Sequence, residues 1–136
     1  MRLDHIGIAV YNLADATAVF ARLLDLPAED FHYREVPHER VRVAEFGLGE
    51  TSIELMEPAG EDSPISRFLA KRGPGVHHLC YLTADIEEAF RRLRENGVQA
   101  LSEAVREGVG YRYFFVHPQS AAGVLTEFRQ PVGELP

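Results

Sequence analysis

The sequence predicts an α+β fold in which one strand-helix-strand-strand unit is used twice in tandem, the copies together forming a half-open eight-stranded sheet around a cleft. Three observations predict it. Strand-like and helix-like runs follow in the same order in both halves. Equivalent residues keep a constant spacing of 73. And 136 residues suffice for one compact domain but not for two independent cores. A single domain is expected over 1–136, with repeat 1 over about 1–60, a linker helix over about 61–74 and repeat 2 over about 75–132.

Residues 3–10 alternate, with His5, Gly7 and Ala9 on one side and Asp4, Ile6, Ile8 and Val10 on the other, which is the period of a strand. Asn12 or Asp15 caps a following helix whose Leu13, Ala16, Phe20, Leu23 and Leu24 make one apolar stripe, and Pro27 stops it. The charged stretch after it, with His32 and His38, reads as a solvated loop. Residues 41–46 and 51–56 lean to β and are joined by Gly47-Leu48-Gly49-Glu50, a hairpin connection. Between 57 and 74 the chain reads as loop around a short helix. Ser63 caps that helix, Pro64 opens it, Ile65, Phe68 and Leu69 point inward, and Gly73 ends it.

The order then restarts. Residues 76–83 read as a strand and 85–96 as a helix with an Asp85/Glu88 cap, an inward Ile86, Ala89, Phe90 and Leu93, and Gly97 as terminator. The last two strands are read at 112–117 and 124–129.

Composition narrows the function. Fourteen Lys and Arg against twenty-one Asp and Glu leave a net charge of -7, so the basic footprint that phosphate backbones require is missing and nucleic acid is not expected as a partner. No run approaches the roughly 20 apolar residues that span a bilayer, and Asp4 and His5 interrupt the first apolar run, so neither membrane nor export signal is expected and the location is taken as cytoplasmic. One cysteine, Cys80, excludes an internal disulfide and a Cys-based zinc cluster.

The repeat places a histidine on the opening strand and a glutamate on the closing strand of each half: His5 and His78, Glu54 and Glu127, all at the spacing of 73 that also relates Ala16 to Ala89 and Pro58 to Pro131. A lone histidine or glutamate in a strand is ordinarily a hydrogen-bonded or surface residue. Four at one spacing are different, because Glu54 and Glu127 lie in apolar runs where an unpaired carboxylate would be costly. Two imidazoles and two carboxylates form a mixed N/O set that suits a divalent first-row metal: zinc, cobalt, nickel or manganese. Two carboxylates balance the dication, and an octahedral ion with four protein ligands keeps two positions open for substrate. His77 points away from His78 by strand parity, and Cys80 reads as a small core residue. Gly108, Gly110 and Gly123 do not make a phosphate-binding loop, and no G-x-S-x-G elbow occurs. Arg91, Arg92 and Arg94, and Lys71-Arg72, read as solvated helix surfaces.

The segments Asp4-His5-Ile6-Gly7-Ile8-Ala9-Val10, Ile53-Glu54-Leu55-Met56-Glu57-Pro58, Ser63-Pro64-Ile65, Gly75-Val76-His77-His78-Leu79, and His117-Pro118 with Gly123-Val124-Leu125-Thr126-Glu127 span nearly the whole chain. Through them it resembles the vicinal-oxygen-chelate superfamily, with its tandem βαβββ-type fold, and within that superfamily the methylmalonyl-CoA epimerases. The resemblance implies a divalent metal held by His5, Glu54, His78 and Glu127, a CoA thioester substrate, a homodimer, and inversion at C2 of methylmalonyl-CoA through an enolate. Removal of the proton between a thioester and a carboxylate sends charge to the thioester oxygen, where a dication stabilises it.

Inversion needs two groups on opposite faces of C2. Glu127 is implied as one. Some relatives carry the second as a glutamate at the place of Val43; here Glu45 lies one strand repeat further on the same face and is the candidate. Some relatives also have glutamine where Glu54 stands. The alternatives are glyoxalase I, which shares fold and ligand set, and a metal-free binding protein of the same fold, whose members typically lose ligands that this chain keeps.

Overall fold

The computed structural model describes residues 1–132. The expected domain's last four residues lie outside the described ones. The chain forms two compact units: His5–His77, and the chain from His78 onward together with Met1–Asp4. Hydrogen bonding orders the eight strands of the mixed sheet β2-β3-β4-β1-β5-β8-β7-β6, in agreement with the predicted eight-stranded α+β fold.

The first unit contains most of β1 (Arg2–Ala9), then α1 (Leu13–Leu24), β2 (His32–Val36), β3 (Val41–Leu48), β4 (Thr51–Pro58) and α2 (Pro64–Arg72). Asn12 caps α1 by accepting from the Asp15 amide, and Glu57 Oε1 accepts from the amide of Leu13 at 2.7 Å, so two of the unsatisfied amides at the helix start are met by side chains. Leu13, Ala16, Phe20 and Ala21 pack with Phe31, Ala44, Phe46 and Leu55. The expected stripe is shorter than read: Leu23 and Leu24 are exposed. Leu23 stands about 60° around the helix from Phe20. Leu24 is the last helical residue, after which Asp25, in the left-handed region at φ 55°, turns the chain away, so the helix stops before Pro27.

The stretch read as a loop holds β2, antiparallel to β3 with His32 opposite Glu45. The reading missed it because β2 is an edge strand exposed along nearly its whole length, so it has no apolar alternation to betray it. His32 is therefore a strand residue rather than a loop residue; it and His38 are exposed, as expected. The hairpin between β3 and β4 tightens to Gly49-Glu50, with Gly49 at φ 65°. Ser63 caps α2 in a reciprocal box with Ser66. Ile65 and Leu69 of α2 cover Ala9, Val41, Val43 and Met56, so α1 and α2 bury opposite faces of the same strands.

The second unit contains most of β5 (Gly75–Leu82), then α3 (Ile86–Glu95), β6 (Arg106–Glu107), β7 (Tyr111–Val116) and β8 (Thr126–Pro131). The short edge strand β6 escaped the reading for the same reason as β2. Asp85 accepts from the Glu88 amide, and Phe90 of α3 meets Phe114 edge to face, with Phe114 stacked on Phe128.

The duplication extends to individual hydrogen bonds. Asp85 caps α3 as Asn12 caps α1, and Gln130 Oε1 accepts from Ile86 at 2.8 Å as Glu57 does from Leu13, every residue 73 positions on. The parallel pairs match as well: Gly7 lies opposite Glu54, and Cys80 opposite Glu127. The antiparallel neighbours depart. Glu45 faces Glu54 across the ladder, and Phe115 faces Glu127, so the spacing there is 70, because the second hairpin is longer.

Candidate functional site

Each unit carries one imidazole and one carboxylate from adjacent parallel strands. In the first unit His5 on β1 is completely buried, Glu54 on β4 is 7% exposed, and His5 Nδ1 stands 3.5 Å from Glu54 Oε2. In the second, His78 on β5 and Glu127 on β8 are buried, with His78 Nε2 3.5 Å from Glu127 Oε1. That separation exceeds a normal N–H···O hydrogen bond. It is close to the spacing of two neighbouring ligands of one ion, which at roughly 2.1 Å bond lengths stand about 3.0–3.4 Å apart for octahedral to tetrahedral angles. The donor set therefore fits a divalent cation: imidazole nitrogen and carboxylate oxygen, side by side and screened from water.

Both carboxylates also meet an arginine that the sequence reading missed. Arg34 on β2 reaches over β3: its Nη1 donates to Glu45 Oε1 at 2.6 Å and its Nη2 to Glu54 Oε2 at 3.1 Å. Burial opposes the charge on Arg34, but Glu54 and Glu45 outweigh it and hold the pKa above the ordinary arginine value. In the second unit Arg129 donates through Nε and Nη2 to Glu127 Oε2, at 3.1 and 2.9 Å, and its guanidinium lies 3.8 Å over the Tyr111 ring. Burial again opposes the charge, and Glu127 again outweighs it. Strand parity was the available signal for Arg129, two residues beyond Glu127 on β8. Arg34 was hidden in the stretch read as a loop.

Glu45, the sequence candidate for a second proton carrier, lies directly across the ladder from Glu54 on the same face, with a third of its side chain exposed. Val43 is buried against Ala9 and Met56 in the core under α2. His77 turns away from His78 and meets the Phe68 ring edge to face at 5.0 Å; burial, with Arg72 nearby, pushes its pKa down to about 4. Cys80 is fully buried, as read, though its ladder partner is Glu127. The arginines of α3 sit on its outside as read: Arg91 pairs with Glu88 and Glu95.

Residues 4–115 match the Glyoxalase/Bleomycin resistance protein/Dioxygenase superfamily, and the chain belongs to that superfamily. Its curated relatives include the mitochondrial methylmalonyl-CoA epimerase of Homo sapiens, 37% identical over 131 residues, which are 95% of this chain and 73% of that protein. They also include the ethylmalonyl-CoA/methylmalonyl-CoA epimerase of Cereibacter sphaeroides, 38% identical over 132 residues covering 95% and 97% of the two chains. Among solved structures, methylmalonyl-CoA epimerase from Mycobacterium tuberculosis superposes with a TM-score of 0.86 at 36% identity, covering 97% of this chain and 89% of that one. Among the described residues no helix is long and apolar enough to cross a membrane.

Proposed function

We propose that the chain interconverts the (R) and (S) forms of methylmalonyl-CoA at C2, using one divalent cation, cobalt, manganese, nickel or zinc, held by His5, Glu54, His78 and Glu127. The observation that carries this is the pair of buried imidazole–carboxylate couples, one per repeat, each spaced as neighbouring ligands. The likeness to proteins named as methylmalonyl-CoA epimerases, over 95% of this chain, supports the substrate, a CoA thioester whose C2 bears both a thioester and a carboxylate. When bound, the cation supplies the positive charge that stabilises the enolate form of the thioester.

The chain's own residues handle the proton. Glu127 takes it from one face of C2. Glu45, as the protonated acid, delivers one to the other and becomes the carboxylate that takes it back in the reverse direction, while the hydrogen bond from Arg34 holds its Oε1 in place. The apolar floor under α2, from Val43 and Met56, keeps bulk water from the neighbouring positions. A homodimer in the cytoplasm belongs to the same reading.

The test is the purified chain, dialysed against each cation and assayed by proton NMR in D2O. Loss of the C2 proton with conversion between epimers is expected, together with about one tightly held cation per chain and no lactoylglutathione from methylglyoxal and glutathione. A chain that retains no cation, or that leaves C2 unexchanged, refutes it.

A further inference from the structure

The geometry points to Arg129 as the residue that decides which oxygen of Glu127 works. Its two N–H groups both donate to Oε2, while Oε1 is the oxygen beside His78 Nε2. The guanidinium is itself fixed. Its side chain is 16% exposed, its plane is supported by the Tyr111 ring, and its planar fork cannot follow the carboxylate through a rotation without losing both hydrogen bonds.

Glu127 is thus restricted to a one-oxygen role: Oε1 serves the cation and the proton, and Oε2 is withheld from both. The opposite arrangement holds at Glu54, where Arg34 donates to Oε2, the same oxygen that stands beside His5. The two carboxylates are related by the repeat, but their arginines are not. Met56 occupies the position of the first repeat that corresponds to Arg129. The clamp is therefore a feature of the second half alone, and it marks Glu127 as the carboxylate whose orientation is controlled.

Arg129 is a positioning residue, and this assignment rests on the proposed epimerase site. It has a consequence that a merely structural role would not have. A buried positive charge in contact with a ligand carboxylate opposes the cation, and it also prevents Glu127 from chelating with both oxygens. Its removal therefore tightens metal binding while slowing turnover, since a second bond from Oε2 to the cation would draw charge from the carboxylate and turn Oε1 into a poorer proton acceptor.

Arg129→Met, Arg129→Lys and Tyr111→Leu, each stripped of metal and titrated with cobalt(II) by calorimetry and visible absorption, test this. For Arg129→Met, binding at least about tenfold tighter is expected, with a changed cobalt absorption spectrum and a kcat at least about tenfold lower at little change in KM. Arg129→Lys keeps the charge and lacks the fork; its cobalt affinity stays near that of the unaltered chain, with intermediate kcat. Tyr111→Leu removes the ring that supports the arginine, together with its contact to Tyr113, at a half-exposed position at the start of β7, and shifts affinity and kcat in the same directions as Arg129→Met by less. Unchanged or weaker cobalt binding in both Arg129→Met and Tyr111→Leu overturns the clamp. An unaltered chain that binds no cobalt overturns the site reading beneath it instead.

Discussion

Glu45→Gln separates a two-sided proton transfer from a one-sided one. The substitution keeps the size of the side chain and removes its charge. Structurally it is mild: the ion pair it breaks, with Arg34, has both side chains more than a third exposed, and such pairs contribute about 0–1 kcal/mol. The variant should therefore fold and hold its cation, with Arg34 still on Glu54. Chemically it is severe. A positioned acid or base contributes roughly 10²- to 10⁴-fold, about 3–5 kcal/mol of barrier, so conversion between epimers falls by that factor.

The two epimers should also diverge. With Glu127 alone remaining, one epimer still loses its C2 proton to D2O and regains deuterium on the same face, whereas the other exchanges slowly. Proton NMR on each pure epimer in D2O, with metal content determined on the same samples, reads both effects. Unchanged conversion between epimers refutes the argument by returning Glu45 to the surface. Loss of exchange in both epimers together with loss of the cation refutes it differently, by making Glu45 a support of the metal rather than a proton carrier.

Glu127→Ala removes a proposed ligand and base at once and leaves the Arg129 cation buried without its carboxylate; about 3–5 kcal/mol of stability should go with it, along with exchange at C2 and most of the bound metal, as thermal melting, NMR and metal analysis would register. Gln130→Ala leaves the Ile86 amide at the start of α3 without its acceptor, for about 1–3 kcal/mol by urea unfolding, a loss that Gln130→Glu should largely avoid because Glu57 does the same task for α1. His77 gives a pH dependence. Its folded pKa of about 4 lies below the ordinary 6.5, so the unfolded chain binds more protons between those values. Stability from this group is complete above about pH 6.5 and is lost as the pH falls through about 4, by up to about 3 kcal/mol. Urea unfolding between pH 7 and pH 4 should show this slope, and His77→Phe should flatten it while keeping the ring contact with Phe68.

The repeat determined most of what could be read from the chain alone. A spacing of 73 is a property of one dimension, and it carried over intact to caps, helix starts and parallel strand pairs because both halves solve the same packing problem: one amphipathic helix on one face of paired strands. The burial of His5, Glu54, His78 and Glu127 and their pairing within each repeat were legible for that reason, and because carboxylates within apolar runs announce burial that needs a partner. What tertiary structure decided lay where local pattern is silent. Edge strands β2 and β6 expose their side chains to water and so have no apolar period. Leu23 and Leu24 follow the helical pattern yet face solvent, since a stripe says which side is apolar and not how far the covering surface extends. Arg34 and Arg129 are set against their carboxylates by strand pairing and by the Tyr111 ring, contacts between residues whose meeting depends on register, and register is fixed only when the strands are assembled.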